Sequence, residues 1–124
     1  MCVDARDKGQ SGEDMALLLL QKKGYSLLAR NFSYGPYEID LIVQDGETLV
    51  FVEVKARTQA VPRLAVDKRK QANICRAALH YVQTTGRMES PMRFDVVEVQ
   101  RQGGEMRLRH LENAFEFIKG RYFA

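Results

Sequence analysis

Cysteine is scarce: the 124 residues hold only Cys2 and Cys75, too few for a disulfide framework or a cysteine-based zinc site. Histidine is equally sparse, and His80 and His110 lie too far apart for a two-histidine motif on one helix. Long apolar runs are missing. The longest, Met15 to Leu20, falls far short of a membrane span and follows Glu13 and Asp14. The first residues lack the basic start, longer apolar core and cleavage site of a signal peptide. These absences predict a reduced, soluble, cytoplasmic protein. Charge of one sign is lacking too: 19 Lys and Arg against 16 Asp and Glu leave +3. With 45% hydrophobic and 28% charged residues, the composition is that of a globular domain and excludes disorder, collagen and a histone-like polycation. No repeat, low-complexity segment or internal linker divides the chain, so residues 1–124 are expected to form one domain.

What is present reads as alternating elements. Residues 1 to 10 look like a loose lead-in. Ser11 is an N-cap with Asp14 at the capping-box position, and the helix runs to about Lys23 before Gly24. Glu13, Ala16, Leu17 and Leu20 fall on one face of it. Strands are predicted over Tyr25–Ser33, Tyr37–Gln44 and Thr48–Arg57, with turns at Gly35-Pro36 and Asp45-Gly46. A loop follows over 58–64. A second helix spans about Val66–Thr84, with Ile74, Ala77, Ala78, Tyr81 and Val82 inward and Gly86 as its stop. Strands over Met92–Val99 and Met106–Leu111 flank Gly103-Gly104, and the tail from Asn113 suggests a short helix. The order αβββαββ predicts an α/β (α+β) layer fold with a mixed central sheet flanked by helices.

The hairpin at Asp45-Gly46 carries the chemistry. With those two residues as the loop, Glu38 opposes Glu53, Asp40 opposes Phe51, and Ile42 opposes Leu49. Glu38, Asp40, Ile42, Leu49, Phe51, Glu53 and Lys55 then share one face. Ile39, Leu41, Val43, Val50, Val52 and Val54 make an unbroken apolar set on the other. Asp40 lies diagonal to Glu53, roughly 5 to 8 Å away. Three carboxylates at one corner repel unless a cation or a raised pKa relieves them. Oxygen ligands without Cys or His point to a hard divalent cation, Mg²⁺ first and Mn²⁺ next. The same pattern is open to a plainer reading, a solvated strand end with ordinary surface ion pairs.

Asp40, twelve intervening residues and Glu53-Val54-Lys55 resemble the core of the PD-(D/E)XK nuclease superfamily. The longer blocks are more specific. Glu38 to Ile42, Val50 to Arg57, Arg93 to Val97 and His110 to Phe115 resemble the YraN-like bacterial family of predicted endonucleases, related to archaeal Holliday junction resolvases. Gly12-Glu13 and Gly24-Tyr25 through Asn31 fit the same family, so the likeness covers about residues 9–115 and leaves 116–124 as a tail. One departure is Tyr37, which stands where the family usually has Gly before Glu-Ile-Asp. The resemblance implies a restriction-endonuclease-like αβββαβ core and a Mg²⁺-dependent endonuclease cutting nucleic acid, DNA before RNA, branched or structured DNA included. It implies that Asp40, Glu53, the Val54 carbonyl and Glu13 hold the metal. Lys55 would orient the attacking water or stabilise the phosphate, with Glu38 in support or as a ligand of a second metal. A homodimer would supply two sites for two strands.

The residues themselves add a basic block. From Lys55 to Arg76, Lys55, Arg57, Arg63, Lys68, Arg69, Lys70 and Arg76 stand against Asp67 alone, a balance of +6. Such a surface beside an acidic corner suits a polyanion. Arg57 and Arg63 are the first choices for phosphate contact, with Lys68 as a further nucleic-acid contact; Lys70 and Gln71 reach toward the site, and Arg69, Asn73, Arg76 and His80 line the outer helix face. Asp95 is expected to pair with Arg93 or a neighbouring strand, and Cys75 to fill core space. His110 and Asn113 have no assigned mechanism. The residues alone leave open a non-catalytic nucleic-acid-binding module and a protein-interaction subunit.

Overall fold

A computed structural model describes residues 2–4, 11–56 and 66–117. The order is β1 (Cys2–Asp4), α1 (Gly12–Lys22), β2 (Ser26–Tyr34), β3 (Tyr37–Asp45), β4 (Thr48–Ala56), α2 (Lys68–Thr85), β5 (Met92–Gln102) and β6 (Glu105–Phe115). The sheet runs β1-β6-β5-β4-β3-β2. Among the described residues, β4 and β5 pair parallel and the other neighbours antiparallel. The stretch from α1 to β5 is therefore the expected αβββαβ core in a mixed sheet, an α+β fold.

Each helix covers one face of the sheet. α1 starts on a capping box: the Ser11 hydroxyl accepts from the Asp14 N–H, and the Asp14 carboxylate accepts from the Ser11 N–H. It buries Met15, Ala16, Leu19 and Leu20 against Leu41, Val43, Val50, Val52, Val97 and Val99. The buried stripe is thus rotated from the expected one: Met15 and Leu19 are inside, while Leu17 is only partly buried. α2 begins at the Asp67 N-cap and ends at Gly86, whose φ of 70° closes the helix in the left-handed conformation. Ile74, Ala77, Ala78, Tyr81 and Val82 point inward as expected, with Cys75 buried among them, against Ile42, Leu49, Phe51 and Phe94. Among the described residues no helix is long and apolar enough to cross a membrane.

Three local expectations are corrected. The β3–β4 loop is Gly46-Glu47, because Asp45 pairs with Thr48 and stays in the strand. Its carboxylate is held there by Arg93, 3.3 Å away, an anchor that lies far off in sequence. Residues 2–4 of the lead-in form β1, whose backbone pairs with β6. The tail from Asn113 continues β6 instead of turning helical. Phe115 returns opposite Phe94 and stacks on it with ring centroids 5.0 Å apart.

Candidate active site

The corrected hairpin register tightens the acidic corner. Leu41 pairs with Val52; one residue further along the same register, Asp40 stands level with Glu53 instead of diagonal to it. The ladder stops there, and the Val54 N–H donates to the Asp40 carboxylate at 2.8 Å. Side-chain alternation also breaks at Asp40. Ile39 packs with Ile42 in the α2-side core, whereas Leu41 packs on the α1 side. The expected unbroken apolar face therefore loses Ile39. Glu38, exposed and next in line, alternates away from the side of Ile39 and does not join the acidic face.

The neighbouring strand follows the same break. Arg30 pairs with Leu41 and Phe32 with Ile39, which leaves Asn31 across from Asp40. Asn31 has φ 50°, a left-handed conformation that asparagine tolerates better than most residues. Arg30 consequently turns to the α1 side, where its guanidinium meets Glu13 at 3.1 Å and Asp14 at 2.8 Å. Phe32 turns to the α2 side. Arg30 went unnoticed in the sequence; the asparagine inside a strand was the available signal.

Burial first, and then the Glu53 charge, push the Asp40 carboxyl up to about 6, against the Val54 N–H, with Glu13 adding further repulsion. Glu53 is buried, and the Lys70 ammonium from the first turn of α2 lies 2.8 Å from it. The contact holds Lys70 above its ordinary pKa, the hydrogen bond to Glu53 outweighing desolvation. Asp40, Glu53 and Lys70 are thus brought together, and Glu13 faces them from α1 under the hold of Arg30. The first turn of α1 is kept close by Gly12, where an added Cβ would come within 3.3 Å of Val99. Lys55 and Val54 continue β4 beside Glu53, both half-buried.

Among the described residues, no three His, Cys, Asp or Glu side chains form a group able to hold a metal. The donor set does fit a hard cation that keeps several waters, as Mg²⁺ does: two carboxylates at one level and the Val54 carbonyl beside them. Lys68 and Arg69 are exposed at the start of α2, and Asn73 and Arg76 follow one and two turns on. Gln71 is buried, its amide donating to the Val66 carbonyl at 2.6 Å, so it braces the helix start. Arg57 and Arg63 lie outside the described residues.

A second polar cluster sits on β5 and β6, where Asp95 pairs with Val52, one residue before Glu53 on β4. Asp95 is fully buried and accepts from Arg93, His110 and the Asn113 N–H at 2.7 to 3.1 Å. Lys23 meets Nδ1 of His110 at 2.8 Å. With an ammonium donating there, the ring proton sits on Nε2 and points at Asp95. Arg93 also donates to the Tyr25 hydroxyl, which donates to Glu112. The structural role expected of Asp95 holds, and His110 and Asn113 gain a reason: they satisfy a buried carboxylate.

Comparison with known proteins places the chain. The model of the Uncharacterised protein family UPF0102 matches residues 12–99. A UPF0102 protein of Geobacter metallireducens is 38% identical over 119 residues, covering 94% of this chain and 98% of that protein. One from Desulfosudis oleivorans is 44% identical over 111 residues, 87% of this chain and 89% of the relative. Among solved structures, a Holliday junction resolvase of Archaeoglobus fulgidus is similar at a TM-score of 0.49 and 19% identity, covering 81% of this chain and 72% of that one. The family model spans the acidic hairpin and both helices, the relatives match at nearly full length, and the chain belongs to the Uncharacterised protein family UPF0102.

Proposed function

We propose that this protein is a Mg²⁺-dependent endonuclease that hydrolyses phosphodiester bonds, with DNA, including branched DNA, as the foremost substrate. The observation that carries the reading is the meeting of Asp40 and Glu53 with the Lys70 ammonium at one sheet end. Two carboxylates whose charges oppose each other form a poor structural device and a good cation site. Asp40, Glu53 and the Val54 carbonyl would hold Mg²⁺, with Glu13 binding directly or through water. Bound there, the cation supplies Lewis-acid stabilisation of charge on the phosphodiester. Lys55 orients the attacking water or offsets the charge that builds on the phosphate, and Lys70 is placed to turn from Glu53 onto the same group.

The start of α2 supports a polyanionic substrate. A helix N-terminus favours acidic neighbours, yet Lys68, Arg69 and Lys70 crowd its first turn, and the helix contains no Asp or Glu. That arrangement costs stability unless an anion is to be bound. Cutting both strands of a branched duplex needs two such sites, which a homodimer would provide.

The test is cleavage of linear and branched DNA and of RNA with Mg²⁺ or Mn²⁺, comparing wild type with Asp40→Asn, Glu53→Gln and Lys55→Ala. Wild-type cleavage that EDTA removes, and that falls at least a hundredfold in the carboxylate variants, is the expected result. Equal activity in every protein would signal a contaminant and sink the mechanism. Binding without cleavage under any metal would leave a non-catalytic module.

A further inference from the structure

We propose that the exposed ring of Tyr34, beside the groove between the β2–β3 turn and α2, stacks an unpaired nucleobase from the nucleic acid whose phosphate lies at Asp40, Glu53 and Lys70. This rests on the nuclease reading above and specifies its substrate: a strand with at least one base out of the duplex.

Three rings form a column on this side of the sheet. Phe32 stacks on His80 at 6.2 Å between centroids, and His80 stacks on Tyr34 at 4.1 Å with planes 13° apart. Tyr34 ends the column and is 44% exposed. An aromatic ring left open at the end of a stack lacks the layer that would cover its outer face. Tyr37 stands beside it, 6.3 Å away, with the Arg76 guanidinium 5.4 Å over its ring. Next to these rings is a groove of about 470 Å³ lined by Pro36, Tyr37, Arg69, Ala72, Asn73 and Arg76. None of the lining residues is acidic, and two are arginines, so the groove suits an anionic chain.

Position ties the groove to the acidic corner. Tyr37 is three residues before Asp40 on β3, about 10 Å along the strand. Arg69 neighbours Lys70 on α2, and Asn73 and Arg76 extend the same helix outward. A strand with its phosphate at Lys70 would run past Arg69 and carry a nearby base to Tyr34. Bases inside a duplex present edges and keep their faces stacked, so a platform of open rings selects an unpaired one. Stacking does not depend on sequence, while Asn73 and Arg76 supply polar groups for a base edge or sugar.

Fluorescence anisotropy in EDTA at low salt, with a labelled single-stranded DNA oligonucleotide and a blunt duplex of the same sequence, tests this. Tyr34→Ala should weaken single-strand binding about tenfold and leave duplex binding within twofold, and Tyr34→Phe should restore it. Unchanged single-strand affinity in folded Tyr34→Ala, or an equal loss on the duplex, overturns the proposal. Wild-type protein provides a second readout that needs no variant. The chain has five tyrosines and no tryptophan, so oligo(dT) stacking on Tyr34 should quench tyrosine fluorescence; binding without quenching also counts against it. If wild type binds neither oligonucleotide, the nuclease reading falls as well; if it cleaves duplex DNA but gains nothing from unpaired bases, only this inference falls.

Discussion

Asp95 and Asp40 are the same side chain in opposite electrostatic settings. Burial works to raise the Asp95 carboxyl, but the bonds from His110, Arg93 and the Asn113 N–H outweigh it and hold the pKa below the usual aspartate value. Such a group stabilises the fold above the unfolded pKa of about 3.9, and the contribution is lost as pH falls through the lower folded value. Asp95→Asn should therefore cost about 3 kcal/mol in urea unfolding at pH 7, because it leaves Arg93 without its buried partner. The difference from wild type should shrink as the acid is titrated below pH 4. Asp40 runs the other way. Its folded pKa of about 6 exceeds the unfolded value, so the protonated form is the one that favours folding, and the benefit disappears as pH rises through 6. Asp40→Asn keeps an oxygen for the Val54 N–H and removes the repulsion with Glu53. Its melting temperature should exceed that of wild type by about 3–5 °C at pH 8, with little gain at pH 4, while cleavage is lost. A variant that melts below wild type at pH 8 would mean Asp40 holds the fold together rather than a cation. Both aspartates sit in apolar strand text, and the local difference is two residues before each: Arg93 for Asp95, Glu38 for Asp40. The sequence did suggest that Asp95 pairs with Arg93, two residues away on its own strand, but not that His110 and Asn113 complete the set from β6.

At the scale of elements, the two aspartates share a device. Each stands on an inner strand where the ladder with an outer strand is interrupted, opposite an asparagine with positive φ: Asn31 across from Asp40, Asn113 beside Asp95. For Asp95 the interruption frees the Asn113 N–H; for Asp40 the N–H is that of Val54, just past the Leu41–Val52 end of the β3–β4 ladder. Strict alternation could not foresee this. It put Glu38 and Asp40 on one face and Ile39 with Leu41 on the other, which holds only while the strand is regular. The helices were more legible, since the Ser11–Asp14 box, the inward stripe of α2 and the Gly86 stop all act within one or two turns. The hairpin fell between: Asp-Gly marked the turn, but Arg93 fixed which of its residues stay in the strand. If the left-handed asparagines are required, Asn113→Ala should be about 1 kcal/mol less stable than Asn113→Gly, measured by urea unfolding at pH 7. Asn31→Val, with a β-branched side chain at φ 50°, should in addition displace Arg30 from Glu13 and lower cleavage more than Asn31→Gly does. Equal stability of the Ala and Gly variants at position 113 would show that the backbone there relaxes freely.

Across the whole molecule, the near-neutral balance of +3 conceals a division of charge between the two helices. α1 follows electrostatic preference, with Glu13 and Asp14 in its first turn, and Arg30 answers them from the sheet. α2 opposes it, with Lys68, Arg69 and Lys70 at the end that already carries partial positive charge, answered in the described chain by the Asp67 cap and Glu53. The acidic pair and the basic turn are adjacent in space because β4 ends where α2 begins, so a cation and a polyanion would meet at one place. Replacing the two exposed members of that turn separates stability from binding. Lys68→Ala combined with Arg69→Ala should stabilise the fold by about 0.5–1 kcal/mol, since each removes a charge that the helix dipole disfavours. The same double variant should lower affinity for duplex DNA at 50 mM salt. The slope of log affinity against log salt should fall by about 1.8, from the loss of two phosphate contacts. Titrations by anisotropy between 50 and 200 mM salt read that slope directly. An unchanged slope would place the nucleic acid elsewhere on the surface and leave the basic turn unexplained, whereas lost stability would mean that these side chains pack rather than recruit.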